Sequence, residues 1–124
     1  MNFLDVPGAP DHLEVTSVEK DSVTLHWKKP KDDGGSSITV YIIEKCEEKK
    51  QTWTKVKEVD HFVHSCQVKS LVPETAYYFR VSAKNNIGIG EPAELRSPVI
   101  PSRPIGEFPF VFLIYLFNTL HVFI

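Results

Sequence analysis

His61, His64, Cys66 and Cys46 are the side chains of this sequence with the most versatile chemistry, because two imidazoles and two thiols are a ligand set for zinc. Zinc needs about four such ligands converging tetrahedrally within about 2.3 Å. His61-x-x-His64 leads into an extended segment, where residues three apart point to opposite faces, and Cys66 falls on the inward face. The set therefore reads as solvated loop histidines beside a buried small thiol, and no metal or other cofactor is expected. Asp32-Asp33-Gly34-Gly35 lacks the alternating ligands and closing bidentate glutamate of a calcium loop, so it reads as a turn. Gly88-Ile89-Gly90 lacks the third glycine and following helix of a dinucleotide-phosphate loop. There is no Gly-x-Ser-x-Gly elbow, neither cysteine stands in an activating setting, and the carboxylates lie in turns and on solvent faces beside lysines. No catalytic residue is expected, and the chain does not read as an enzyme.

Composition closes further classes. The 124 residues carry 14 Lys and Arg against 16 Asp and Glu, a formal charge of −2, whereas a nucleic-acid footprint needs a concentrated basic surplus. Lys28-Lys29-Pro30-Lys31 and Lys49-Lys50 are basic runs, but Asp32-Asp33 and Glu47-Glu48 adjoin them and cancel their field. No nucleic-acid partner is expected. The two cysteines, together with an N-terminus that lacks the succession of a secretory signal, favour a reducing cytoplasmic home. Cys66 is expected inward on one strand, and Cys46 at the outward, frayed end of another in the opposite sheet. No disulfide is expected, since Cα atoms more than about 7 Å apart cannot be bridged without distortion.

The elements that would position these residues are short and extended. Residues 1–10 contain Pro7, Pro10 and Gly8-Ala9, which exclude a helix and read as a linker. Leu13, Val15 and Val18 point inward from a first strand and Val23, Leu25 and Trp27 from a second, across a turn at Lys20-Asp21-Ser22. Pro30 stops the second strand before a loop from Lys31 to Ser37. Ile38 to Cys46 is a third strand with Tyr41 and Ile43 on the core side, too rich in β-branched residues for a helix. A charged hairpin at Glu47 to Gln51 leads to a short strand around Trp53, Lys55 and Val56. Ser65 to Leu71 forms a fifth strand and its corner, Thr75 to Asn85 a sixth, and Asn85 to Pro92 a glycine-punctuated loop. A last strand is expected over Leu95 to Ile100, with Pro98 tolerable only if its missing N–H faces away from the ladder.

The run from Leu71 to Ala83 says most. Alternation puts Tyr77, Phe79, Val81 and Ala83 on one face and Tyr78, Arg80, Ser82 and Lys84 on the other. A tyrosine opening such a strand, a few residues after Leu71 and Pro73, fits a tyrosine corner, with the phenol inward and its hydroxyl bonded to upstream backbone. Seven short strands, turn signals about every ten residues and no helical period predict an all-β fold, a seven-stranded Greek-key β-sandwich of the immunoglobulin-like kind. Its expected structural core is Trp27, Tyr41, Leu71, Tyr77, Phe79 and Val81. Arg80, Lys84 and the Lys28 to Lys31 loop are candidate polar contacts on solvent faces.

Trp27 in the second strand, Tyr41 in the third, the Leu71 to Tyr77 corner and the Asn85 to Pro92 loop together resemble a fibronectin type III domain, over about Val6 to Ile100. Within that family, the run from Trp27 through Pro30 and Gly34-Gly35 to Ile38, with Tyr41-Ile42-Ile43-Glu44-Lys45, resembles the modules of titin, twitchin and the myosin-binding proteins of muscle. Ala93 departs from the pattern, standing where the family loop often has serine after Glu-Pro. The resemblance implies a structural and protein-interaction module of a giant sarcomeric protein, cytoplasmic, in the A-band or M-band of muscle. It implies myosin or neighbouring immunoglobulin and fibronectin type III domains as partners. The alternative is an extracellular adhesion or receptor module of the same fold, but neither Arg-Gly-Asp nor an Asn-x-Ser/Thr sequon occurs.

The expected organisation is a lead-in at 1–10, the domain at 11–100, a linker at 101–107 and an apolar tail at 108–124. The tail, Phe108 to Ile124, is shorter than the roughly 20 apolar residues that span a bilayer, holds Pro109, Asn118 and His121, and has no lysine or arginine nearer than Arg103. Three readings stay open for it: sequence foreign to the domain, an interfacial or anchoring segment that would make a small tail-anchored membrane protein, and an added strand. In water, such a run is prone to aggregate.

Overall fold

The computed structural model describes residues 3–103. Seven strands follow one another: β1 Asp11–Val18, β2 Val23–Lys28, β3 Val40–Glu47, β4 Trp53–Asp60, β5 Ser65–Val68, β6 Tyr77–Lys84 and β7 Ala93–Glu94. They form a three-stranded sheet of order β1-β2-β5 and a four-stranded sheet of order β4-β3-β6-β7, with every neighbouring pair antiparallel. The chain crosses between sheets after β2, β4 and β5, the connectivity of a Greek-key sandwich.

Period-2 alternation decides what lies between the sheets. Val23, Leu25 and Trp27 of β2 are fully buried, while Thr24 and His26 between them are half-buried. Tyr77, Phe79, Val81 and Ala83 of β6 are at most 2% exposed, and Tyr41 and Ile43 of β3 face them in one cluster with Cys66, Val68 and Leu71. These residues are mostly β-branched or aromatic, the types that fit a pleated, half-buried surface. Rings of Trp27 and Tyr41 meet at 5.6 Å and those of Tyr77 and Phe79 at 6.1 Å, within the range where aromatic pairs add to area burial.

Three features differ from the expected strand pattern, each for a local reason. β4 runs on to Asp60, beyond the short strand expected around Trp53, Lys55 and Val56. Ile43 faces Lys57 but Glu44 faces Lys55, so Val56 is an extra residue that resets the phase and lets both Val56 and Val59 pack on the core. β7 covers only Ala93–Glu94 rather than Leu95 to Ile100. Pro98 cannot donate to a ladder, and the chain rejoins the sheet in a single bridge between Val99 and Tyr77. Cys46 is not at a frayed end. It sits inside β3, directly opposite Trp53 on one side and Tyr78 on the other, and is 5% exposed because two aromatic neighbours share its outward face.

Candidate functional site

The four zinc-type residues do not converge. Cys46 belongs to the four-stranded sheet and Cys66 to the three-stranded one, both as free thiols. Among the described residues no group of three His, Cys, Asp or Glu side chains gathers to hold a metal ion. Burial pushes the Cys66 thiol up, with Lys57 partly offsetting it, the reverse of what a thiolate ligand needs. His64 packs its ring 5.7 Å from Tyr41, and His61 meets Phe62 edge-on at 5.4 Å. Asp32 and Asp33 build a turn, each Oδ1 accepting the N–H two residues on, from Gly34 and Gly35, at 2.8 Å.

The geometry concentrates at the two ends of the sandwich. At one, the buried Tyr77 accepts a hydrogen bond on its hydroxyl from the Val72 N–H at 2.9 Å, which is the tyrosine corner. The Leu71 N–H donates to the Asp21 carbonyl and the Glu74 N–H to the Pro101 carbonyl, both at 2.9 Å. The corner, the β1–β2 turn and the departing chain therefore share this end.

At the other end the lead-in is a docked strap. It runs extended, as its prolines require, but the Asp5 N–H donates to the Gly34 carbonyl and the Gly8 N–H to the Asp32 carbonyl, both at 2.9 Å, and Pro7 and Pro10 are buried. Asn85, one residue past β6 and 1% exposed, is the clasp. Its Nδ2 donates to the carbonyls of Asp5 and Asp33 at 2.8 Å, while its Oδ1 accepts from the N–H groups of Ile87 at 2.9 Å and Gly88 at 3.2 Å. One carboxamide thus ties together the strap, the β2–β3 loop and the β6–β7 loop. Glycine makes the close approach possible: a Cβ on Gly34, which has φ +76°, would collide with the Asp5 carbonyl oxygen, and one on Gly90 with that of Pro7. The clasp escaped sequence reasoning. Its signal was an asparagine just beyond a buried strand, followed by glycines that admit another backbone.

The outer face of the four-stranded sheet also differs from a bare solvent face. Arg80 donates from Nε to Glu44 Oε1 at 2.9 Å and from Nη2 to Oε2 at 3.3 Å, and its guanidinium lies 4.2 Å from the Trp53 ring centroid. Glu44 and Arg80 are direct cross-strand partners. Both side chains are only about a quarter exposed, 21% and 26%, so Arg80 braces β3, β4 and β6 rather than reaching outward.

Beside the strapped end a cleft of about 550 Å³ opens between the β2–β3 loop and the β4–β5 turn. Tyr41 and Ile38 line it with His61, Phe62 and His64 from the turn and Lys29 to Asp33 from the loop. Burial pushes the Tyr41 hydroxyl up, so the phenol stays protonated at neutral pH.

With the corner, the Trp27 layer and the strand order established, comparison with known proteins decides the family. The sequence model described as fibronectin type III domain matches residues 8–99. The chain belongs to the fibronectin type III family. This fibronectin type III chain is 41% identical over 112 residues to titin of Drosophila melanogaster, covering 86% of the chain and 1% of that protein. It is 37% identical over 95 residues to the slow-type myosin-binding protein C of Homo sapiens, covering 77% and 8% respectively. A crystal structure of domains A168-A170 from titin matches with a TM-score of 0.72 at 40% identity, over 78% of this chain and 32% of that one. The chain spans less than a tenth of these two curated relatives, and its likeness is to their fibronectin type III domains.

Proposed function

We propose that this fibronectin type III chain is a load-bearing spacer and docking module of a giant sarcomeric protein, held in the cytoplasm within the A-band or M-band and without a catalytic role. The observation that carries this reading is that the polypeptide enters and leaves at opposite ends of the sandwich, beside Asn85 and beside Glu74. Tension between the ends runs along β1 and along the segment from β7 to Val99. It lies parallel to the strands and across their hydrogen bonds, so several bonds share the load.

The apolar surface supports the same arrangement. Of the seven exposed large hydrophobic residues among those described, Phe3, Leu4, Ile87 and Ile89 stand at the strapped end and Val72 and Ile100 at the corner end. End-on packing against neighbouring immunoglobulin or fibronectin type III domains covers such ends in an array. The similarity to domains of titin and myosin-binding protein C supports the muscle setting and myosin as the filament partner. We take residues 11–100 as the folded unit, 1–10 as its lead-in, of which 3–10 form the strap, and 101–107 as a linker. The tail at 108–124, with its anchor and added-strand readings, lies outside the described residues.

Stretching single molecules by their two termini tests the mechanical part. The expected trace shows a small early step as the strap leaves Asn85, then one all-or-none rupture of the sandwich. Gradual yielding at low force, with no discrete rupture, would overturn the load-bearing role.

A further inference from the structure

Where the chain leaves the sandwich, Pro98, Pro101 and Pro104 recur every third residue and Arg103 follows Pro101 by two. A polyproline II helix has three residues per turn, so this spacing lines the three proline rings along one edge. Proline fixes its own φ near the polyproline II value and keeps the residue before it out of the helical region. Ser97, Ile100 and Arg103 each precede a proline, so the segment, once free, is pre-organised in that conformation. Pro98-Val99-Ile100-Pro101-Ser102-Arg103 has the form Pro-x-x-Pro-x-Arg. Its proline edge fits the aromatic-lined grooves of an SH3 domain, and its guanidinium is placed to pair with a carboxylate beside them.

The folded sandwich withholds this ligand. Pro101 is fully buried, and its carbonyl accepts the Glu74 N–H at 2.9 Å. Val99 packs on the core and exchanges two backbone hydrogen bonds with Tyr77, at 2.8 and 2.9 Å. A groove that must grip Pro101 cannot reach it while these three bonds hold.

The hold is narrow. Among the described residues no backbone hydrogen bond joins Arg96, Ser97 or Pro98 to the sheet, and the next one inward runs from the Leu95 N–H to the Phe79 carbonyl at 3.1 Å. Glu74, the donor to Pro101, has φ +63°, in the left-handed region that a side chain makes costly. Peeling the chain from Val99 onward therefore breaks three hydrogen bonds and leaves the β3–β6 ladder and the pairing of β7 in place, with residues 96–98 as the hinge.

We propose that residues 98–103 are a masked SH3 ligand, bound by an SH3 domain only in those molecules whose exit segment has peeled from Tyr77 and Glu74. The folded chain then binds with the affinity of the free segment reduced by the open fraction. Neither the ligand nor its mask depends on the sarcomeric reading, since both are built from the exit segment and the corner alone.

The test titrates an isotope-labelled SH3 domain that takes Pro-x-x-Pro-x-Arg peptides with the full chain and with a capped peptide of residues 96–106. The peptide should shift the groove tryptophan saturably, and the full chain should bind at least about tenfold more weakly. That ratio should match the open fraction read from hydrogen exchange at the Val99 amide. Arg103 is exposed, so Arg103→Glu should leave the thermal midpoint as it was and weaken both titrants at least about tenfold. On a three-residue turn Val99 shares its edge with Ser102, away from the prolines and Arg103, so Val99→Ala should leave peptide binding unchanged. In the full chain the same substitution loosens the exit and should strengthen binding at least about threefold, with protection in the β3–β6 ladder retained. A peptide that does not bind, or that binds equally with Arg103→Glu, would overturn the ligand. Equal binding by peptide and full chain, or a ratio far from the open fraction, would overturn the mask.

Discussion

Trp27→Ala is expected to unfold the chain or bring it to the edge of unfolding. Trp27 is fully buried between the sheets, packs at 5.6 Å on Tyr41, and lies in one cluster with Leu25, Phe79 and Val81. Truncating so large a ring removes its transfer energy and leaves a cavity that a two-sheet core cannot fully collapse, at a cost of about 3–5 kcal/mol. A domain of this size has only about 5–15 kcal/mol to lose. The indole N–H has no partner, so the loss is one of volume rather than of a hydrogen bond. Trp27→Phe, which keeps an aromatic ring there, should therefore be much the milder change, near 1–2 kcal/mol. Urea denaturation followed by circular dichroism measures both. An unchanged midpoint in Trp27→Ala would mean that the core has been placed wrongly.

Asn85→Ala is expected to be the most damaging substitution outside the apolar core. It removes two donor and two acceptor contacts at once, leaving the carbonyls of Asp5 and Asp33 and the N–H groups of Ile87 and Gly88 without their side-chain partner. Each buried group left unmatched costs about 1–3 kcal/mol, and water reaching the loosened loops recovers part of it, so the net loss should be about 2–4 kcal/mol. The damage should be local. Hydrogen exchange should accelerate at the Asp5 and Gly8 amides, which hold the strap, while amides of the β3–β6 ladder stay protected. Uniform loss of protection across both sheets would show instead that Asn85 belongs to the global core.

How much of this was legible beforehand depended on the range of each interaction. The buried faces of β2 and β6 follow from alternation within a few residues, and the Tyr77 hydroxyl bond spans only five positions, so a local pattern reveals them. Asn85 reaches back 80 residues to Asp5, and Arg80 reaches 36 to Glu44; nothing in the neighbouring sequence specifies those partners. The extra residue Val56 and the short β7 were missed for a different reason. Alternation assumes an unbroken ladder, and both a bulge and a proline break it. Lys29, Tyr41, Phe62 and His64 come from three separate segments, so their shared cleft exists only once the two sheets are stacked.

We propose this fibronectin type III sandwich, strapped at one end and cornered at the other, as a bead in a muscle filament protein. Labelling striated muscle of the source organism with an antibody raised against residues 11–100, at several degrees of stretch, tests that role. Paired stripes are expected within the thick-filament region, at a distance from the centre of the sarcomere that stays constant as the muscle lengthens. Labelling of the plasma membrane or of the outer surface of intact cells, with no sarcomeric stripe, would contradict it.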